Sequence, residues 1–128
     1  MKIRLQGRMP YVTVLLSYRG RQRLLEDVVL DTGSASSVFS ADEVFQIGIE
    51  PGLEDQLYRI LGVGGSEFVF SKRVDSVSLG EMALSEFEVQ VGAMDYGFPI
   101  QGILGMDFLL RVGAVIDLDS LEIRRTAA

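Results

Sequence analysis

The amino-acid sequence predicts an all-β fold, either a small barrel or a sandwich, and three observations lead to this class. Most apolar segments alternate with polar residues at a period of two, which is typical of half-buried strands. Turn-forming residues recur at intervals of roughly 8–12 positions. Helical patterns are few and short. Because no Pro/Gly/Ser linker or repeat divides the 128 residues, we expect a single domain over residues 1–128.

The first predicted element is a hairpin near the N-terminus. Tyr11 to Tyr18 is rich in β-branched and aromatic residues, which favour strands. Arg19-Gly20-Arg21 then supplies a turn, and Arg23 to Leu30 returns as the second strand.

A later hairpin is predicted around Gly80-Glu81, which separates Val74 to Leu79 from Met82 to Val91. Apolar and polar side chains alternate along its second strand, so one face is expected to lie in the core. The inward residues are Phe87, Val89 and Val91, and the outward ones are Glu86, Glu88 and Gln90.

The remaining elements are shorter. Val112 to Leu118 and Leu121 to Ile123 predict a strand pair around Asp119-Ser120. Ala41 to Phe45 predicts one helical turn, and Met106 to Arg111 predicts a short helix near the C-terminus.

A glycine-rich stretch occupies Tyr58 to Phe70, YRILGVGGSEFVF. A phosphate-binding loop is excluded because Glu67 stands at the third glycine position of that motif and a strand, not a helix, follows. The stretch instead predicts a hairpin whose tip contains Gly62, Gly64 and Gly65. An ordinary hairpin and a mobile cover over a site are both compatible with the pattern.

The composition excludes several chemistries. The chain has no Cys and no His, which removes thiol nucleophiles, Ser-His-Asp triads and the usual zinc ligands. Carboxylates are therefore the leading acid–base candidates, and we expect no metal and no cofactor. A net charge of −6 argues against nucleic acid as a partner. No apolar run reaches the ~20 residues of a membrane span, and the lack of Cys is compatible with the cytoplasm or another reducing compartment.

The segment VVLDTGSASSVFS, residues 28–40, places a carboxylate directly after an apolar strand. Asp31 follows Leu30, and the small, turn-prone Thr32, Gly33 and Ser34 come next. An aspartate here could simply cap a turn with its side chain. It could also be held at the edge of a buried sheet for acid–base chemistry.

Three segments, taken in their order along the chain, resemble the motifs of one protein family. They are Leu30 to Ser34, the glycine hairpin at 62–65, and Ile103 to Asp107 with the sequence ILGMD. Together they resemble the retropepsin-like aspartic proteases over roughly Pro10 to Leu118. The resemblance implies an all-β, small closed barrel with a flap hairpin and one short C-terminal helix.

The resemblance also implies a role for each residue of the first motif. Asp31 is the catalytic acid, and the hydroxyl of Thr32 crosses a two-fold axis to join paired loops. Gly33 allows the backbone to turn and offers its carbonyl to substrate. Ser34 resembles the pepsin-like form of the motif, in which a hydroxyl hydrogen-bonds to the aspartate.

The other two segments acquire roles in the same way. The implied flap and substrate-binding residues are Leu61, Gly62, Val63, Gly64 and Gly65. The implied structural segment beneath the catalytic loop is Ile103, Leu104 and Gly105. Asp107 is interpreted as a local backbone partner or helix cap, outside catalysis.

The family's chemistry needs two carboxylates, and this chain carries the motif once. We therefore expect a homodimer with Asp31 of each copy facing the other, acting as an aspartic endopeptidase on extended polypeptide. Retroviral members have carboxylates where this chain has Ala35 and Ser36. An inactive retropepsin-fold dimerisation or peptide-binding module is therefore the alternative, and a monomeric ligand-binding barrel is a weaker one.

Overall fold

The structure is a computed structural model and describes residues 1–53, 55, 57–62 and 65–126 of the chain. These residues form ten strands and two short α-helices. The strands are β1 (Arg4–Gln6), β2 (Met9–Tyr18), β3 (Arg21–Leu30), β4 (Val38–Ser40), β5 (Leu57–Gly62), β6 (Gly65–Leu79), β7 (Met82–Gly92), β8 (Gly102–Leu104), β9 (Ala114–Asp117) and β10 (Glu122–Arg125). The helices are α1 (Ala41–Val44), followed by a 3₁₀ turn (Phe45–Ile47), and α2 (Met106–Val112).

Six strands close into a barrel. The sheet order is β1-β2-β3-β8-β4-β7-β6-β5, and β2 pairs a second time with β6, which completes the ring. Two pairs, β3–β8 and β4–β7, are parallel, and the other pairs of the ring are antiparallel. β1 and β5 extend outward from β2 and β6. The fold class expected from the sequence is thus confirmed.

The core fills the inside of this ring. Val12, Val14 and Leu16 alternate inward along β2, as a period of two requires. On β7 the inward residues are those expected from the sequence, Phe87, Val89 and Val91. Helix α2 closes one end, where the ring of Phe108 meets Phe87 edge-on with a centroid distance of 6.1 Å.

The C-terminal residues form a separate two-stranded sheet, β9–β10. The N-terminal residues continue this sheet, because the Ile3 amide donates to the Leu121 carbonyl and the Ile123 amide donates to the Met1 carbonyl, both at 2.9 Å. Lys2 forms an isolated bridge with Glu122. The two chain ends are therefore tied together.

Most predicted elements are confirmed, with differences at their ends. Both hairpins, the helical turn at α1 and the helix at α2 are present. The strand predicted from Val112 begins instead at Ala114. Val112 belongs to helix α2, which ends at Gly113 with a left-handed φ of 65°. Strands β1 and β4 were not predicted.

Neither α-helix in the part of the chain that the structure describes is long and apolar enough to cross a membrane.

Candidate active site

Asp31 lies directly after β3, at the edge of the barrel. The last residues of β3, Val28 to Leu30, pair in parallel with Gly102 to Leu104 of β8. The Asp31 amide extends this pairing by donating to the Leu104 carbonyl at 3.0 Å. Two central strands therefore fix the backbone of Asp31, and its side chain remains half-buried beside a cavity.

The turn after Asp31 hydrogen-bonds to the acid itself. The Gly33 amide donates to Asp31 Oδ1 at 2.8 Å, and the Ser34 amide donates to the Asp31 carbonyl at 3.2 Å. Gly33 does not adopt a left-handed φ, so backbone freedom is not what the turn requires of it. A Cβ at this position would instead lie 3.2 Å from Asp31 Oδ1. Thr32 and Gly33 are exposed.

Ser34 differs from the expectation drawn from the resemblance. Its hydroxyl donates to the Ser36 carbonyl at 2.7 Å, so the expected hydrogen bond from Ser34 to the Asp31 carboxylate is wrong. A serine hydroxyl has a single proton, and here that proton closes the following turn. Ser34 still braces the loop, because its carbonyl accepts the Met106 amide at 2.8 Å.

The segment Ile103–Gly105 lies beneath this loop, as the resemblance implied. A Cβ on Gly105 would stand 2.6 Å from the Ser36 carbonyl oxygen and 2.7 Å from that of Ser34. The loop backbone is therefore seated directly on the Gly105 Cα. Just beyond, the Asp107 amide donates to the Ala35 carbonyl at 3.2 Å.

Ser37 and Asp107 form a polar anchor under the loop, and only Asp107 was expected to have a local partner there. Asp107 Oδ1 accepts the Ser37 hydroxyl at 2.7 Å, and Oδ2 accepts the Ser37 amide at 3.0 Å. The Gly105 amide donates to the Ser37 hydroxyl oxygen at 3.0 Å. Asp107 is thus the local backbone partner that was expected. Ser37, which is fully buried, was missed because nothing in the sequence separates it from Ser34 and Ser36.

We expect the Asp107→Asn variant to lower the free energy of unfolding by about 1–3 kcal/mol. Oδ1 and Oδ2 together accept three protons, from Ser37 N, Ser37 Oγ and Phe108 N. An asparagine amide would turn its own N–H group toward one of these donors. Urea denaturation measures the change, and Asp75→Asn, at an exposed position of β6, is the matched control. Equal stability of the two variants would contradict this role for Asp107.

Two cavities adjoin the Asp31 loop. The first, about 440 Å³, is lined by Asp31 together with apolar and aromatic residues that include Leu30, Phe98 and Ile100. The second, about 320 Å³, is lined in part by residues 34–36 of the loop. Among the described residues that line either cavity, Asp31 is the only carboxylate. A half-buried acid beside an apolar cavity can exchange protons with a bound molecule.

The predicted flap is a hairpin made by β5 and the start of β6, with Gly62 opposite Gly65. Leu61 lies within β5, whereas Val63 and Gly64 fall outside the described residues.

An ion pair holds the segment that precedes this hairpin in place. Lys72 Nζ lies 2.5 Å from Asp55 Oδ2, and the Gly52 amide donates to the same oxygen at 2.6 Å. The Lys72 ammonium and the Gly52 amide hold the pKa of the Asp55 carboxyl below its usual range. The lowered pKa favours the ionised form of Asp55, and the ion pair joins the segment before β5 to β6.

Comparisons with known proteins agree with this geometry. A sequence model of a family described as aspartyl protease matches residues 16–108, which include the Asp31 loop and the segment beneath it. The crystal structure of a retropepsin-like aspartic protease from Rickettsia conorii superposes with a TM-score of 0.69, covering 96% of this chain and 95% of that chain. The two sequences are 19% identical, so this likeness shows a shared fold. No curated protein sequence matches the chain significantly.

Proposed function

This chain belongs to the aspartyl protease family, and from that premise we propose that it is a homodimeric endopeptidase. Two Asp31 carboxylates, one from each copy, activate the water that hydrolyses a peptide bond. The observation that carries the proposal is the Asp31 loop, which holds a half-buried carboxylate at the wall of an apolar cavity.

The need for a second copy follows from the chemistry. An isolated carboxylate near its normal pKa is a poor acid and a weak base at neutral pH. Two carboxylates held ~3 Å apart cannot both ionise, so the pair shares one proton, as is known for aspartic proteases. The motif occurs once in this sequence, so the second carboxylate has to come from a partner. Exposed Thr32 and Gly33 leave the Asp31 loop accessible to that partner.

The reaction uses the shared proton in two steps. The ionised carboxylate takes a proton from water, whose oxygen bonds to the scissile carbonyl carbon, while the other carboxyl donates its proton to the carbonyl oxygen. The tetrahedral diol then collapses. The protonated carboxyl gives its proton to the amine nitrogen as the C–N bond breaks. A diol hydroxyl gives its proton to the other carboxylate as the C=O bond of the product acid forms, so the pair again holds a single shared proton. No group other than the two carboxyls and water is required.

The substrate is proposed to be polypeptide in an extended conformation. The cavities beside Asp31 are largely apolar, which suits uncharged side chains. The β5–β6 hairpin can pair with an extended backbone in the manner of an added strand.

A subunit-mixing experiment tests the two-copy mechanism. Wild-type protein is refolded together with a threefold molar excess of Asp31→Asn protein, and peptide cleavage is measured per mole of wild type. Random pairing leaves about one quarter of wild-type subunits in wild-type dimers, so activity is expected to fall to about that fraction. The same excess of Asp75→Asn protein is the control and should add activity.

Two results would overturn the proposal. Undiminished wild-type activity in the mixture would mean that each subunit acts alone. Wild-type dimers that bind peptides but cleave none would favour a peptide-binding module, for which Ala35 and Ser36 are the motivating positions.

A further inference from the structure

Two aromatic residues on one loop stand at the edge of the candidate site. Tyr96 and Phe98 lie between β7 and β8, and these two residues are 48% and 42% exposed. Their rings stack with centroids 6.2 Å apart and planes inclined by 27°. Aromatic surface left open beside a cavity is available for a bound molecule to cover.

The loop that carries these rings is held in place at its C-terminal side. The buried Tyr11 donates its hydroxyl to the Pro99 carbonyl at 2.8 Å. The Gln101 side-chain oxygen accepts the backbone amides of Glu26 at 2.9 Å and Asp27 at 3.0 Å. The Gln101 backbone amide donates to the Asp27 carbonyl at 2.7 Å. These hydrogen bonds join the loop to β2 and β3, so the aromatic pair sits on a fixed support.

In the part of the chain that the structure describes, two residues line both cavities at the site, Tyr96 and Ile103. The first cavity also contains Asp31 and Phe98, whereas the second is lined by residues 34–36 and Met94. Phe98 does not line the second cavity. Tyr96 and Ile103 therefore form the wall between the two spaces, and only Tyr96 carries a large, exposed ring there.

We propose that Tyr96 is a specificity-determining residue, which separates the two cavities and limits the size of the substrate side chain that each one accepts. This inference rests on the proposed peptidase function. In an extended peptide, side chains on one face of the strand are two residues apart, so neighbouring cavities receive different substrate positions. Removing the Tyr96 ring joins the two spaces, and both positions then tolerate larger apolar side chains.

The variants Tyr96→Ala and Phe98→Ala form a matched pair for the test. Each removes one exposed aromatic ring from the same loop, but Tyr96 contacts two cavities and Phe98 only one. Tyr96→Ala is expected to change side-chain preference at two substrate positions, and Phe98→Ala at one. The change expected is about tenfold in relative kcat/KM between small and large apolar side chains, the scale of one or two methylene groups in a pocket. Tyr96→Phe keeps the ring between the two cavities, so its preference at both positions should lie closer to that of wild type than the preference of Tyr96→Ala does.

The experiment measures cleavage of a peptide library in which each position is varied in turn. Fluorescence anisotropy with the same peptides, in the Asp31→Asn background, measures binding without cleavage. Preference changes at two positions for Tyr96→Ala and at one for Phe98→Ala would support the inference. Identical profiles for the two variants, or unchanged preference in Tyr96→Ala, would overturn it.

The two assays also separate this inference from the proposed function. If wild-type protein cleaves no peptide, the peptidase proposal fails, and the anisotropy profiles still decide the role of Tyr96. A two-position change in binding would then support Tyr96 as a determinant of peptide binding. If no peptide binds at all, the inference fails as well.

Discussion

Asp31→Asn is expected to lower kcat/KM for peptide cleavage by ~10²–10⁴-fold. The reason is that an amide can neither accept a proton from water nor share one with the second Asp31 position of the dimer. The loss should persist at every pH tested, since asparagine does not titrate in the working range. Cleavage of a fluorogenic peptide library from acid to neutral pH measures it.

The fold should survive this substitution. Asp31 Oδ1 accepts the Gly33 amide at 2.8 Å, and an asparagine oxygen can accept the same proton. Circular dichroism and sedimentation should therefore match wild type, which assigns the loss of activity to chemistry. Asp75→Asn, at an exposed position on β6, is the control and should remain active. Substantial cleavage by Asp31→Asn would end the case for acid catalysis by this residue.

Gly105→Ala is expected to lower the free energy of unfolding by about 3 kcal/mol, at the upper end for inserting a methyl group into a packed site. The new Cβ would lie 2.6 Å and 2.7 Å from the carbonyl oxygens of Ser36 and Ser34. These contacts are with backbone, so no side chain can rotate away to relieve them. The midpoint of thermal unfolding should fall by roughly 10 °C for a chain of this size.

Gly113→Ala is the matched control for this prediction. Gly113 ends helix α2 with a left-handed φ of 65°, and a Cβ there would meet nothing within 4 Å. The control substitution is therefore expected to lower the free energy of unfolding by only about 1 kcal/mol, the cost of placing a non-glycine residue in the left-handed conformation. Gly105→Ala should also reduce catalytic activity, because the Asp31 loop rests on this position. A Gly105→Ala protein as stable as Gly113→Ala would show that the loop relaxes freely.

The hairpins could be predicted from sequence because their causes are local. Tyr11 to Leu30 and Val74 to Val91 each combine period-two alternation with a turn at the midpoint. Such patterns depend on neighbours along the chain, and the structure confirms both pairs. The helix end at Gly113 was missed because Val112, which follows Arg111, begins an apolar stretch toward Ile116 that suits a strand and a helix equally well.

The site could be predicted only where the resemblance supplied a role. The sequence pattern placed Asp31 at the end of an apolar strand, and the resemblance implied that Ile103–Gly105 lies beneath it. The structure brings these two segments together. The Ser34 hydroxyl was expected to hydrogen-bond to the Asp31 carboxylate, but it donates to the Ser36 carbonyl. Choosing among nearby serines requires knowing which one faces Asp107, a partner 70 residues away from Ser37.

The sequence by itself determined the strand pattern, the single acid motif and the absence of competing His and Cys chemistry, because each is a property of residues or of short segments. Tertiary structure alone decided that Ser37 is the buried anchor and that Tyr96 stands between two cavities. Both placements arise from barrel closure, which brings together strands distant in sequence. No local pattern of side chains encodes which distant residues meet there.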